Sequence, residues 1–274
     1  MELQESSNKI LQQNQADRVE ITFYTDPLCC WSWAFEPQWR RLQYEFQDTV
    51  ICRYVMGGLL SGWTNFNDPL YSVSRPMQMG PVWYEAGLTS GMTIYDKIWV
   101  EDPPASSYPA CIAVKCAELQ SHQAGVKYLR MVREAVMLYG KNISRQDVLI
   151  SIAQSIANNY PSLLDVEKFK YDLTINDNGI EAFRTDLNEV QSRNISRFPT
   201  LIMRSVYKPS IIITGYRPYP VLLDAINQVA SANQPVQKPP SEEAYVKYWE
   251  NITQREIEEV FPPPTNLYYE KSSL

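Results

Sequence analysis

The stretch TDPLCCWSW at residues 25–33 decides the fold of this 274-residue chain. It follows an alternating apolar run at residues 19–24, which is typical of a β-strand, and it precedes helical spacing. Cys29 is therefore predicted to lie between the end of a strand and the start of a helix. Backbone N–H groups and the helix dipole at such a position stabilise a thiolate. Ser32 occupies the position where a redox dithiol carries its second sulfur.

Apolar patterning outward from this stretch predicts four strands, at about 19–25, 50–56, 200–204 and 210–214. Helical spacing and capping signals dominate the residues between about 60 and 196. A strand–helix–strand unit favours parallel pairing, whereas the short turn near 205–209 requires an antiparallel pair. The sequence thus predicts a four-stranded sheet with a helical block between its halves.

The same patterning divides the chain into three parts. Residues 1–18 are predicted to be a flexible arm, and residues 19–230 a domain with a helical insertion at about 60–196. Residues 231–274 are predicted to be a Pro-rich tail with a short helix.

Pro37 lies inside a helix predicted over about 32–47 and should kink it, because proline lacks a backbone donor. Ser144 to Asp147 resembles a capping box at a helix start.

Composition excludes several classes of function. The formal net charge is −6, and this argues against nucleic acid as a partner, because phosphate binding requires clustered Lys and Arg. No stretch has the apolar length of a membrane span, and the polar N-terminus lacks a signal-peptide core, so a cytoplasmic location is expected. The five cysteines are then expected to be free thiols. With His122 as the only histidine, no metal site and no bound cofactor are predicted.

These motifs resemble the DsbA-like branch of the thioredoxin superfamily. The FrnE-type subgroup carries Asp-Pro-x-Cys-x-Trp-Cys-Trp after the first strand, and the chain matches it at Asp26, Pro27, Cys29, Trp31 and Trp33, with Ser32 replacing the second cysteine. Phe198-Pro199-Thr200 resembles the superfamily's cis-proline signature, which faces the active cysteine. The resemblance covers about 19–230 and implies an α/β, thioredoxin-like fold with a large helical insertion.

The resemblance also implies roles for individual residues. Cys29 would be the nucleophile and Ser32 a hydrogen-bond donor to it. Substrate binding would involve Trp31, Phe198, Pro199 and Thr200. Auxiliary roles would fall to Cys30, Asp26 and Glu36, the two carboxylates as proton acceptors, although a loop hydrogen-bonding role suits Asp26 equally well. Ser32 cannot attack a mixed disulfide, so glutathione or the substrate's second thiol would have to release it.

Two classes of function remain open from the sequence. The first is a monothiol thiol–disulfide oxidoreductase or isomerase, acting on a thiol-containing protein or peptide with glutathione as a possible co-substrate. A glutathione-dependent, transferase-like activity is a variant of it. The second is a non-catalytic adaptor that binds extended peptides between Phe198 and Trp31, a role that some DsbA-like proteins perform for proteolytic machinery. A lowered pKa of the Cys29 thiol favours catalysis, and an ordinary or raised pKa favours the adaptor.

Overall fold

The computed structural model describes residues 18–64, 66–206, 208–230 and 236–263. Its sheet contains β1 (Val19–Thr25), β2 (Val50–Met56), β3 (Thr200–Arg204) and β4 (Ile211–Thr214). The strands lie in the order β2-β1-β3-β4. β1 pairs in parallel with β2, and the β1–β3 and β3–β4 pairs are antiparallel. The predicted strands and their pairing directions are confirmed.

Helices connect and cover these strands. α1 (Cys30–Ala34) and α2 (Glu36–Glu45) join β1 to β2. Between β2 and β3 lie a 3-10 turn (Pro76–Gln78), α3 (Met79–Ser90), α4 (Ile98–Glu101), α5 (Tyr108–Glu118), α6 (His122–Met137), α7 (Gln146–Asn159), α8 (Val166–Thr174) and α9 (Asn178–Ser192). After β4 come α10 (Tyr219–Val229), α11 (Glu242–Trp249) and α12 (Gln254–Glu258). Within the described residues, 60–196 adds no strand to the sheet, which confirms the helical insertion.

Several local predictions need correction. The helix predicted over 32–47 is interrupted at Phe35, and Pro37 lies in the first turn of α2. The capping box predicted at Ser144 is wrong, because α7 begins after Arg145 without a side-chain cap. Ser144 donates its hydroxyl to Asn142 instead, at 2.5 Å. The predicted tail helix is two helices, α11 and α12.

The two faces of the sheet bury different partners. One face packs against α2 and α10 and includes Phe23 and Trp39. The other face carries Tyr24 and Ile202 toward α9. Trp33 of α1 belongs to the core of the helical insertion, so α1 joins the sheet to the insertion.

The C-terminal part of the described chain packs on the same body. α12 packs against α2, and Arg41 donates a hydrogen bond to the Glu259 carbonyl at 3.1 Å. Tyr44 stacks edge-on with Tyr245 at 5.2 Å between ring centroids. Nearly all of the predicted arm, residues 1–18, lies outside the described residues, and the three-part division stays a prediction.

Candidate functional site

Cys29 lies where the sequence places it, at the N-cap of α1. Its sulfur accepts a hydrogen bond from the backbone N–H of Ser32 at 3.4 Å and lies 3.5 Å from the carbonyl oxygen of Phe198. The Phe198–Pro199 peptide bond is cis. The structure therefore brings together Cys29, Ser32 and Phe198, which come from segments about 170 residues apart in sequence.

The electrostatic environment of Cys29 does not favour a thiolate. The side chain is 5% exposed, and this burial raises the pKa of the thiol. The side chain and the backbone N–H of Ser32 oppose this rise in the pKa, and the negative charge of Asp26 adds to it. The pKa is thus shifted in the direction opposite to the one expected from a helix N-terminus, because desolvation outweighs the effect of this five-residue helix.

Half-buried aromatic side chains lie beside the thiol. Trp31 of α1 packs against Tyr216 with ring centroids 6.2 Å apart, and its indole N–H has no hydrogen-bond partner among the described residues. Phe198, whose carbonyl oxygen approaches the sulfur, is also half-buried. The backbone N–H of Gly215, next to Tyr216, donates to the Pro199 carbonyl at 2.7 Å, which joins the two loops. Trp31, Phe198 and Tyr216 are called the aromatic groove below.

Phe198 is held in place by a glycine that the sequence analysis left without a role. A Cβ atom at Gly57, just after β2, would lie 2.0 Å from the Phe198 ring, so the ring occupies the space of a missing side chain. Thr200, predicted as a substrate-binding residue, is buried and donates its hydroxyl to the Arg197 carbonyl at 2.8 Å. Thr200 therefore stabilises the loop, and Phe198 is the part of this motif that reaches the surface.

Asp26 stabilises the loop that carries Cys29. Its carboxylate is fully buried and accepts hydrogen bonds from the backbone N–H groups of Leu28 at 2.8 Å and Leu59 at 2.7 Å. It also accepts from the Ser107 hydroxyl at 2.9 Å and from the Cys111 thiol at 3.3 Å. Four donors fix this side chain, so the loop hydrogen-bonding role is the one that the contacts support.

Glu36 belongs to a buried ion-pair cluster. It pairs with Arg133 at 2.5 Å, with Arg130 at 3.3 Å and with Arg40 at 3.4 Å. Arg130 and Arg40 also contact Glu256 of α12, at 2.7 and 3.3 Å. Glu36 is therefore engaged by arginines. The sequence analysis missed these arginines, although the spacing of Glu36 and Arg40, four residues apart on α2, could have predicted one of the pairs.

The remaining cysteines are structural in character. Cys30 is buried in the core of the insertion, and burial raises the pKa of its thiol well above the ordinary range. All five cysteines lie in the described residues and are free. No group of three His, Cys, Asp or Glu side chains in the described part of the chain could hold a metal ion. Among the described helices, none has the length and apolarity needed to cross a membrane.

A family model described as thioredoxin matches residues 23–224, and this range includes both motifs of the site. The chain belongs to the thioredoxin family. It is 32% identical to the ClpXP adapter protein SpxH of Halalkalibacterium halodurans over 91% of this chain and 80% of that protein. It is 26% identical to SpxH of Bacillus subtilis over 89% of this chain and 78% of that protein.

Solved structures agree on the fold. The cytosolic disulfide reductase DsbM from Pseudomonas aeruginosa superimposes with a TM-score of 0.55 at 14% identity, covering 71% of this chain and 88% of that one. This likeness establishes a DsbA-like thioredoxin fold for the chain.

Proposed function

We propose that this protein is a cytoplasmic adapter that delivers client proteins to the ClpXP protease. Similarity to the ClpXP adapter proteins over most of the chain suggests this class. The observation that carries the proposal is the state of Cys29, which is buried, has a raised thiol pKa and faces Ser32 where a second thiol would be needed for turnover. Such a site is suited to binding without thiol chemistry.

The aromatic groove supplies the client contact. Aromatic side chains contribute most to binding through the apolar area that they bury, and the half-buried ring of Trp31 offers such area, whereas its indole nitrogen is itself buried. Beside it, the Phe198 carbonyl is positioned to accept a hydrogen bond from an extended peptide backbone. Recognition of this kind requires the ring of Phe198 and the indole of Trp31, and it does not require the sulfur of Cys29.

The test compares protein turnover in cells with and without this chain, followed by reconstitution with purified ClpXP. Clients should be degraded several-fold more slowly when the chain is absent, and the purified chain should restore their degradation by ClpXP. Cys29→Ala should restore degradation fully, and Trp31→Ala should not. The proposal fails if no protein depends on both this chain and ClpXP, or if Cys29→Ala is as inactive as Trp31→Ala.

Thiol–disulfide exchange is the second candidate, favoured by the 3.5 Å approach of the Cys29 sulfur to the carbonyl beside the cis-proline. In this reaction the Cys29 thiolate attacks a client disulfide and forms a mixed disulfide, releasing one client thiolate. A different client thiolate, or a glutathione thiolate, then attacks the client sulfur of the mixed disulfide and displaces Cys29 as a thiolate, so that the client is isomerised or glutathionylated without net consumption of Cys29. Long-lived mixed disulfides at Cys29 in cells would support this candidate.

A further inference from the structure

Helix α3 has the composition of a buried helix. Its sequence, MGPVWYEAGLTS, contains a single charged residue, Glu85. The inner face buries Val82, Trp83 and Ala86, and the helix packs there against α1. Helices that are apolar on all sides are normally covered on all sides. The outer face of α3 is nevertheless exposed.

The exposed face carries a continuous apolar stripe. Pro81, Tyr84 and Leu88 follow one another at intervals of three and four residues, which places them on one side of α3, and Met77 of the 3-10 turn precedes them. Met77, Tyr84 and Leu88 are 68%, 59% and 69% exposed. Val100 of α4, a helix that packs against both the 3-10 turn and α3, adds a further exposed side chain. We name Met77, Pro81, Tyr84, Leu88 and Val100 the α3 stripe.

The α3 stripe is a preformed surface. Gly91 ends the helix in the left-handed conformation with φ of 74°. The Arg255 side chain donates to the Ser90 carbonyl at 2.9 Å and so fixes the C-terminal end of α3 to α12. Because the helix is anchored on its inner face and at its end, binding at the stripe costs little ordering of this chain.

The size and spacing of the stripe identify the kind of partner. Met77, Tyr84, Leu88 and Val100, each 59% to 69% exposed, are too few to supply the roughly 800 Å² per subunit of a stable self-association. Their spacing suits one helix laid along another, with apolar anchors at i, i+4 and i+7. Exposed charges of both signs surround them, with Glu85 on α3, Arg75 before the 3-10 turn and Lys97 before α4, so apolar contact carries the binding.

We propose that the α3 stripe binds the apolar face of an amphipathic helix of a partner protein. The stripe faces away from α1, and the proposal therefore adds a second surface to the aromatic groove. It does not depend on ClpXP, and it stands or falls separately from the proposed adapter function.

The experiment uses the full chain with a benzophenone amino acid in place of Leu88, crosslinked in cells. The control carries the same group in place of Tyr139, which is equally exposed, at 68%, and lies outside the stripe. The crosslinked partner peptide is identified by mass spectrometry, synthesised, and titrated against the wild type, Leu88→Lys and Tyr139→Lys by fluorescence anisotropy. Thermal melts confirm that both variants are folded.

The expected result is a partner segment with apolar residues at helical spacing that binds Leu88→Lys roughly tenfold or more weakly, the effect of losing an interface anchor. Tyr139→Lys should bind as the wild type does. The proposal is overturned if the Leu88 crosslinks lead to a second copy of this chain or to its own residues 264–274. It is equally overturned if crosslinking from position 88 does not exceed crosslinking from position 139, or if the partner peptide binds Leu88→Lys and Tyr139→Lys with the same affinity.

Discussion

Replacing Glu256 by Gln should destabilise the protein strongly, because this carboxylate completes the buried ion-pair cluster. Glu256 is fully buried and forms a bidentate pair with Arg130, with distances of 2.7 and 3.0 Å. Arg40 lies 3.3 Å away and the backbone N–H of Thr253 donates at 2.6 Å. The arginines nearby outweigh burial and hold the pKa of Glu256 below its ordinary value, so the group is charged in the folded protein.

The magnitude follows from the charge count of the cluster. Three carboxylates, Glu36, Glu134 and Glu256, face the three arginines at 40, 130 and 133. Neutralising Glu256 leaves one buried positive charge uncompensated, and breaking a buried pair costs about 3–5 kcal/mol. Because Gln preserves the volume and one acceptor oxygen, we expect a loss of about 3 kcal/mol in the free energy of unfolding.

Urea unfolding at pH 7, followed by tryptophan fluorescence, measures this loss. The matched control is Glu181→Gln, whose pair with Arg184 is 59% exposed at both side chains and is worth about 1 kcal/mol or less. The direction in which the stability difference changes with pH can also be checked. A lowered pKa in the folded state gives stability that is present above the unfolded pKa and is lost as pH falls through the folded pKa, so the difference between wild type and Glu256→Gln should shrink in acid. A difference no larger than that of Glu181→Gln would refute the reasoning.

Three further predictions concern the site. Gly57→Ala should cost about 1–3 kcal/mol in urea unfolding, because the new Cβ overlaps the Phe198 ring; Gly62→Ala, where nothing lies within 4 Å of the new Cβ, should change stability by about 0.5 kcal/mol or less. Alkylation of Cys29 against pH should show no lowered pKa, because burial raises it; rapid reaction at neutral pH relative to the unfolded chain would contradict this. Ser32→Cys should gain no insulin reductase activity if the adapter proposal is right, and a clear gain would favour the exchange reaction.

The elements of the fold that could be predicted are those with a strong local signal. The apolar runs of β1 and β4, rich in β-branched and aromatic residues, predicted both strands and their bounds within a residue or two, although β1 is buried on both faces and not alternately. α3 was not predicted from the sequence. Gly80, Pro81 and Gly87 weaken helix propensity there, and packing of Trp83 against the insertion core supplies the stability instead.

The composition of the site was likewise predictable, whereas its electrostatics were not. The two motifs correctly predicted that Cys29 and Phe198 lie close together, because the family resemblance predicts the topology that joins their segments. The pKa of the Cys29 thiol depends on how completely the neighbouring residues exclude water, and residue types alone do not contain that quantity. Glu36 shows the same limit in part, because Arg40 is four residues away on the same helix, whereas Arg130 and Arg133 come from α6, which only tertiary packing places beside it.

These two features of the site bear on the same conclusion. Four donors immobilise Asp26, whose negative charge raises the pKa of the adjacent thiol. A thiol that is buried beside a fixed negative charge is a poor nucleophile, yet Phe198 and Trp31 are only half-buried and keep part of their side chains at the surface. Peptide binding needs only Phe198 and Trp31, whereas sustained thiol exchange needs a reactive thiol at Cys29. Cys29→Ala removes the thiol and leaves Phe198 and Trp31 in place. It is therefore the substitution that separates thiol exchange from client binding.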